Sequence, residues 1–202
     1  MKASMMKMTA VAAALLMGTA LASAQTMNSG SMKSGSMKHE SMGKTVMVGG
    51  APMYPNKTIV QNASKAKNLT TLVSAVKAAG LVDTLSGSGP FTVFAPTNAA
   101  FNKVPKKTLN SLMQPSMKSD LTKILTYHVV PGRLTAAELK KKIHEGHGSA
   151  NLKTVEGEVL TVKMSHGHIV VFDKQGGEAR VTKANVMQSN GVVHVVNAVL
   201  MP

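Results

Sequence analysis

The pattern of apolar residues changes at Gly148, and this change limits the folds that the chain can adopt. Before Gly148, apolar side chains recur three and four positions apart, for example from Leu69 to Val76, which is the spacing of amphipathic helices. After it, β-branched runs alternate with short turn sequences that favour an antiparallel meander. We predict strands at residues 158–164, 168–172, 179–184 and 191–200. Helices that precede strands in this way predict an α+β domain.

Local signals mark where the helices begin and end. We expect four helices to start at Asn68, Pro105, Ser119 and Thr135. Asparagine, serine and threonine accept hydrogen bonds from the free amides of a first turn, whereas proline suits the first helical position. Glu138 stands three residues after Thr135 and completes a capping box, and Gly80 lies where a C-terminal glycine is typical.

The first 24 residues have the organisation of an export signal. Lys2 and Lys7 form a basic start, residues 8–21 are largely apolar, and the small residues 22–24 offer a cleavage site. We expect cleavage after Ala24, with an uncleaved membrane anchor as the alternative. The mature protein is therefore expected in the periplasm or outside the cell, and not as an integral membrane protein.

Residues 25–50 are rich in Ser, Gly, Met and Lys and predict a flexible linker before a folded domain at residues 51–202. Methionines recur every five residues, a spacing that matches neither a helix nor a strand. Alternatively, their thioethers and one imidazole wrap Cu(I), a soft ion that methionine sulfur suits. The candidate metal ligands are Met27, Met32, Met37, His39, Met42 and Met47.

No cysteine is present, which excludes disulfides, thiolate metal sites and cysteine nucleophiles. An exported domain of this composition must therefore be held together by packing alone. Aromatic residues make up only 3% of the chain, and tryptophan is absent. This scarcity argues against a surface that stacks sugars or bases, and so against nucleic acid as a partner.

The chain is strongly basic, with 23 Lys and Arg against 9 Asp and Glu and a formal net charge of +14. Loss of the two lysines of the signal leaves about +12. A protein this basic is drawn to anionic surfaces such as envelope polysaccharide or phospholipid headgroups. The clustered candidates for such binding are Lys103, Lys106, Lys107, Lys140, Lys141 and Lys142. The alternative is that these lysines form ordinary solvated helix faces.

Three segments resemble those of a known family. FTVFAPTNAAF (91–101), YHVVPGRL (127–134) and NGVVHVVNAVLMP (190–202) resemble, in order and spacing, the first signature, the Tyr-His segment and the second signature of the fasciclin domain. The resemblance covers residues 50–202 and is strongest for single-domain secreted bacterial members.

The resemblance implies a wedge of antiparallel sheets with helices packed beside it, in which the two signature segments lie side by side in the core. Residues 91–95 then form a core strand, Pro96 ends it, and Thr97 caps a helical turn that returns Phe101 to the interior. The junction lacks the glycines and following lysine of a phosphate-binding loop. We therefore expect a structural clamp here rather than the lip of an active site.

The Tyr-His segment contributes Tyr127 and His128 as candidate contact residues, a role that requires at least one of them to be accessible. Family members commonly carry aspartate where this chain has Asn197. An amide still accepts a hydrogen bond from a backbone N–H but has no charge, so an ion pair is not expected there. The integrin-binding acidic motifs of animal members are not evident, and integrin recognition is not predicted.

No catalytic residue is predicted, because the chain has neither a G-x-S-x-G nor an H-E-x-x-H motif. His128 and His194 are interpreted as hydrogen-bonding residues of the interior or its edge. Two further histidine pairs have no third metal ligand that the sequence can name, so adventitious or no metal binding is expected. These pairs are His144 with His147, and His166 with His168.

Together these observations predict a secreted, non-enzymatic fasciclin-like module that acts in adhesion or surface interaction and needs no cofactor. Its partners are expected to be cell-surface or matrix components. The alternative is an envelope protein that handles a small ligand or a metal, with the methionine-rich linker as a copper site or the domain interior as a lipid pocket.

Overall fold

The computed structural model describes residues 45–202 of the chain. These residues form strands β1 (Val46–Val48), β2 (Ala51–Met53), β3 (Phe91–Pro96), β4 (Val129–Pro131), β5 (Ser149–Lys153), β6 (Val159–Ser165), β7 (His168–Phe172), β8 (Glu178–Gln188) and β9 (Gly191–Val196). They also form helices α1 (Ile59–Ala63), α2 (Thr70–Ala79), α3 (Val82–Ser86), α4 (Asn98–Phe101), α5 (Lys106–Leu112), α6 (Lys118–Tyr127) and α7 (Ala136–Glu145). Helices dominate before Gly148 and strands after it, which confirms the predicted α+β class.

Within the described residues, seven strands form one sheet in the order β4-β3-β9-β8-β7-β6-β5. Strands β6 to β9 form the predicted antiparallel meander, and β5, which was not predicted, pairs antiparallel with β6 at its edge. The sheet is nevertheless mixed, which corrects the expected antiparallel wedge, because β3 runs parallel to β9 along its whole length. Parallel pairing is possible because these strands are far apart in the sequence, so that a long connection rather than a hairpin joins them. Gly191 permits their close approach, because a Cβ at this position would collide with the carbonyl of Phe91.

Strands β3 and β9 are buried on both faces and separate two apolar cores. On one face, Val93 and Val195 pack with α1, α2, α3 and α6. On the other face, Phe94 and Val196 pack with α7 and with strands β5 to β8. Successive side chains of a strand point to opposite faces, so each core receives alternate residues of the same two strands. Burial on both sides explains why these strands are largely apolar rather than alternating between apolar and polar residues.

The junction after β3 is the structural clamp that the resemblance implied. The strand ends at Pro96, and Thr97 Oγ1 accepts a hydrogen bond from the N–H of Ala100 at 3.3 Å, which caps α4. Phe101 at the end of α4 is buried in the core that contains α2 and α6. The Pro-Thr turn thus reverses the chain and returns an aromatic ring to the interior.

Three of the predicted helix ends are confirmed. Thr135 and Glu138 form the capping box of α7, Gly80 ends α2 with a φ of 73°, and α5 follows Pro105 directly. No helix within residues 45–202 is long and apolar enough to cross a membrane.

Asn68 and Ser119, by contrast, do not cap their helices. Helix α2 begins after Leu69, and the N–H of Thr71 donates instead to Oδ1 of Asn98 at 3.0 Å. At α6 a 3-10 turn leads directly into the helix, so Ser119 already lies in its first turn. The chain enters neither helix in the extended conformation that a capping side chain needs, which is why the local signal was wrong at both places.

The folded domain begins inside the segment that was predicted to be linker. Strands β1 and β2 form an antiparallel hairpin, and Val48 is buried in the core that contains α1 and α2. Lys183 Nζ on β8 donates to the carbonyl of Met47 at 2.7 Å. These contacts place β1 in the domain and correct the predicted boundary. The predicted signal peptide and the remainder of the linker, residues 1–44, lie outside the described residues.

We expect Val195→Ala to lower the free energy of unfolding by about 2 to 5 kcal/mol, because it leaves a cavity beside the parallel strand pair. Phe94→Ala should have an effect of the same order on the other core. Val159→Ala is a matched control, since Val159 is 45% exposed on β6, and should change stability by about 0.5 kcal/mol or less. Urea unfolding measures these differences. Superimposable curves for Val195→Ala and wild type would contradict the assignment of β9 to the core.

Candidate functional site

The Tyr-His segment lies where α6 ends and β4 begins, and both of its named side chains are buried. Tyr127 is 0% exposed and His128 is 2% exposed. The Tyr127 hydroxyl donates to the carbonyl of Val159 at 3.2 Å and accepts from the N–H of Lys174 at 3.1 Å. Burial raises the pKa of this hydroxyl, although the bond from Lys174 opposes the shift. Tyr127 therefore ties the end of α6 to β6 and to the turn between β7 and β8.

His128 ties α6 to the C-terminal segment. Its Nδ1–H donates to the carbonyl of Ile124 at 2.8 Å, and its Nε2 accepts from the N–H of Leu200 at 3.0 Å. This pair of contacts requires the neutral imidazole with its proton on Nδ1. Burial lowers the pKa of His128 to about 4, while the bond to Ile124 and the charge of Asp173 oppose the shift.

The predicted contact role of Tyr127 and His128 is therefore wrong. Both rings are enclosed, and their polar atoms already bind backbone groups of the same domain. Tyrosine and histidine occur both at the surface and in the interior of proteins. The apolar sequence around them therefore did not predict which of these two locations they occupy. The expectation that His128 is a hydrogen-bonding residue of the interior is confirmed.

A second polar group of contacts holds the loop after β4. Thr92 Oγ1 donates to the carbonyl of Gly132 at 2.7 Å and accepts from the N–H of Leu134 at 2.8 Å. His194 stacks on Phe94 with ring centroids 5.7 Å apart, and its Nε2–H donates to the carbonyl of Leu134 at 2.8 Å. Both signature strands thus hold the same loop, and His194 is also confirmed as an interior hydrogen-bonding residue.

The two lysine clusters are exposed but differ in their surroundings. The exposed residues are Lys103, Lys106, Lys107, Lys140, Lys141 and Lys142. Helix α7 also carries Glu138 and Glu145, and Lys141 Nζ lies 3.7 Å from Glu145 Oε1. The segment from Lys103 to the end of α5 contains no acidic residue. The positive charge of the α5 cluster is therefore less neutralised by its own segment than that of α7.

Lys103 also lines a cleft that sequence reasoning did not predict. The cleft has a volume of about 530 Å³ and lies between the turn after α4, the β6–β7 turn and β8. The charged and polar side chains that line it include Lys103, His166, His168, Glu178, Arg180 and Asn197. No local pattern reveals this site, because four separate segments contribute to it.

A model of the fasciclin domain matches residues 67–202 of the chain. The chain belongs to the fasciclin domain family. It is 44% identical over 163 residues to Protein sll1483 of Synechocystis sp., which covers 81% of this chain and 83% of that protein. It is 35% identical over 148 residues to the cell surface glycolipoprotein MPB83 of Mycobacterium bovis, which covers 69% of this chain and 58% of that protein.

The architecture is also that of a fasciclin domain. A solved structure of a FAS1 domain pair from the insect cell adhesion molecule Fasciclin I matches with a TM-score of 0.66. The match covers 74% of this chain and 52% of that chain at 20% sequence identity. At this identity the likeness concerns the fold, and it says nothing about partners.

The histidine pairs of this fasciclin domain are not joined by further metal ligands. Among residues 45–202, no group of three or more His, Cys, Asp or Glu side chains is placed to hold a metal ion. His166 and His168 line the cleft, whereas His144 and His147 are exposed around the end of α7. Of the candidate copper ligands, Met47 lies in β1 and is 52% exposed. The others lie outside the described residues: Met27, Met32, Met37, His39 and Met42.

The interior of the described domain does not support the lipid-pocket alternative. An apolar cavity lies between α1, α2, α3, α6 and β3, and its volume is about 40 Å³. A cavity of this size has room for a few water-sized groups. An acyl chain needs far more space, so a lipid would have to separate the helices from the sheet.

Acidification is expected to destabilise the domain through His128. Its pKa is about 4 in the folded state, against about 6.5 in an unfolded chain, so folding favours the neutral ring. This contribution is complete above about pH 6.5, decreases as the pH falls, and stops changing below about pH 4. It amounts to about 3 kcal/mol. Urea unfolding between about pH 7.5 and 3.5 measures it.

His128→Gln should be less stable than wild type at neutral pH, yet its stability should depend less on pH because an amide does not titrate. His194 is expected to cause part of the dependence of stability on pH that remains in this variant, since burial lowers its pKa as well. Val159→Ala removes no titratable group and should keep the pH dependence of wild type. A slope in His128→Gln as steep as that of wild type would show that another group causes the acid sensitivity.

Proposed function

We propose that this protein is an exported fasciclin-domain module that acts in adhesion or surface interaction and has no enzymatic activity. Its partners are anionic groups of the cell envelope or matrix, carried by polysaccharide or lipid headgroups in the periplasm or outside the cell. The observation that carries the proposal is the exposed lysine array of Lys103, Lys106 and Lys107, whose own segment contains no acid.

The names of related proteins support a place at the cell surface. MPB83, which is 35% identical to this chain, is named a cell surface glycolipoprotein. The structure of this domain is compatible with such a role, because the signature segments are engaged in packing and leave binding to exposed groups. Function on a shared fold depends on surface residues of this kind.

Two basic surfaces are candidates for the contact. The α5 surface consists of Lys103, Lys106 and Lys107, and the α7 surface consists of residues 140–142. Exposed ion pairs contribute little stability, but they reduce the net charge that a distant anion experiences. The glutamates of α7 have this effect, so we expect the α5 surface to contribute more to binding.

A copper-handling role remains a second proposal, and the five-residue methionine repeat is the observation that favours it. The test compares Cu(I) titrations, under reducing conditions, of the mature protein and of a version that lacks residues 25–44. This deletion keeps β1 and every other residue that the structure describes. Tight binding that disappears with the deletion would support the copper role. Equally weak binding by both proteins would eliminate the linker as a copper site.

Retention of the mature protein on an immobilised acidic polysaccharide should decrease steeply as salt is raised. The reason is that the screening length shortens from about 10 Å at 0.1 M to about 3 Å at 1 M ionic strength. Changing Lys103, Lys106 and Lys107 together to glutamine should lower the salt concentration needed for elution. The triple glutamine variant of residues 140–142 removes the same charge and should have a smaller effect.

Circular dichroism checks that both triple variants are folded. Elution of both at the wild-type salt concentration would show that the lysines are solubilising charge and not a binding surface. A larger effect of the α7 variant would contradict the ranking of the two surfaces.

A further inference from the structure

The cleft beside Lys103 lies on the face of the sheet that α7 does not cover. Ala179 and Val181 of β8 point into the core that contains α7, so Arg180 between them points to the opposite face. Lys103 reaches this face from the turn after α4 and lines the same cleft as Arg180. The cleft is therefore a separate site from the α7 surface, although it is continuous in sequence with the α5 lysines.

The two strong cations of the cleft are not neutralised by ion pairs. Within residues 45–202, the ion pairs join Lys141 to Glu145 and Lys174 to Glu158, and neither Lys103 nor Arg180 takes part in one. Glu178 lines the cleft but is not within ion-pair distance of either cation. Lys103 and Arg180 outweigh the single carboxylate of Glu178, so the cleft keeps a net positive charge, and a concave site of positive charge attracts anions.

Asn197 adds a second and independent observation. Its Oδ1 accepts from the N–H of Arg180 at 2.8 Å, and its own N–H donates to the carbonyl of Arg180 at 3.2 Å. A carboxylate at this position would make the first of these contacts equally well. The amide in this chain thus keeps the structural contact while it leaves the charge of the cleft positive.

We infer that this cleft binds the acidic group of a polysaccharide, a sulfate ester or a uronate carboxylate, with Lys103 and Arg180 as its charged contacts. The inference rests on the proposed function and assigns it a specific site. At about 530 Å³ the cleft is in the size range of small-ligand sites, larger than a free sulfate ion requires. It therefore has room for the sugar that carries the group. Arginine suits such planar or tetrahedral oxyanions because it donates two parallel hydrogen bonds.

The test measures binding of a heparin-derived hexasaccharide to the mature protein by titration calorimetry at low salt. Asn197→Asp should weaken binding about tenfold or more, because it places a negative charge beside Arg180 and keeps the backbone contact. Arg180→Gln should weaken binding to a similar degree, and Arg180→Lys should restore part of it. Lys65→Gln removes one exposed charge just after α1, outside the cleft and outside both lysine surfaces, and should change the affinity about twofold or less. Thermal unfolding of each variant confirms that the domain remains folded.

The same titration with a polygalacturonate oligomer shows whether a carboxylate replaces the sulfate ester, and tight binding of either one supports the inference. If wild type binds the hexasaccharide and both Asn197→Asp and Arg180→Gln bind it equally well, the cleft is not the site, while the proposed function stands. If wild type binds neither oligosaccharide but binds phosphatidylglycerol vesicles, the polysaccharide inference is overturned and the headgroup form of the proposed function remains. If wild type binds none of these probes, the proposed function itself fails.

Discussion

The parallel pairing of β3 with β9 is the interaction on which the rest of the domain depends. Each strand supplies side chains to two cores, so the pair is the wall that both cores share. Backbone hydrogen bonds between the two strands continue to both ends of the pair. At one end the N–H of Phe91 donates to the carbonyl of Asn190, and at the other the N–H of Thr97 donates to the carbonyl of Val196. Because the chain has no disulfide to limit its unfolding, loss of this pair exposes both cores together.

Polar side chains next to this pair explain why the signature segments are structural. Thr92 and His194 project from the paired strands and bind the same loop, while His128 holds the C-terminal segment to the end of α6. Each of these contacts satisfies a backbone group that packing has removed from water, where an unpaired group would be costly. The side chains that make these contacts are not available to a partner. Binding is therefore expected on the exposed faces of the domain.

The features that the sequence predicted are those determined by neighbours in the chain. Helical periodicity, the capping box at Thr135, the glycine end at Gly80 and the C-terminal meander all depend on residues a few positions apart. Apart from the cap expected at Ser119, which a preceding 3-10 turn displaces, the incorrect or missing features depend on distant segments. Asn98 caps α2 from another helix, and the parallel pairing and the cleft at Arg180 each join segments that are remote in sequence. Burial of Tyr127 is of the same kind, since its partners come from β6 and the β7–β8 turn.

Asn197 shows how a binding site can change on this fold without a cost to its core. The position lies just after β9, and what the fold requires of it is an oxygen that accepts from the N–H of Arg180. An amide and a carboxylate meet that requirement equally well, but they differ by a full negative charge at the edge of the cleft. The need for this hydrogen bond therefore determines the shape of the side chain but not its charge. The charge at the end of this core strand can therefore differ without a change in the contact that the fold requires.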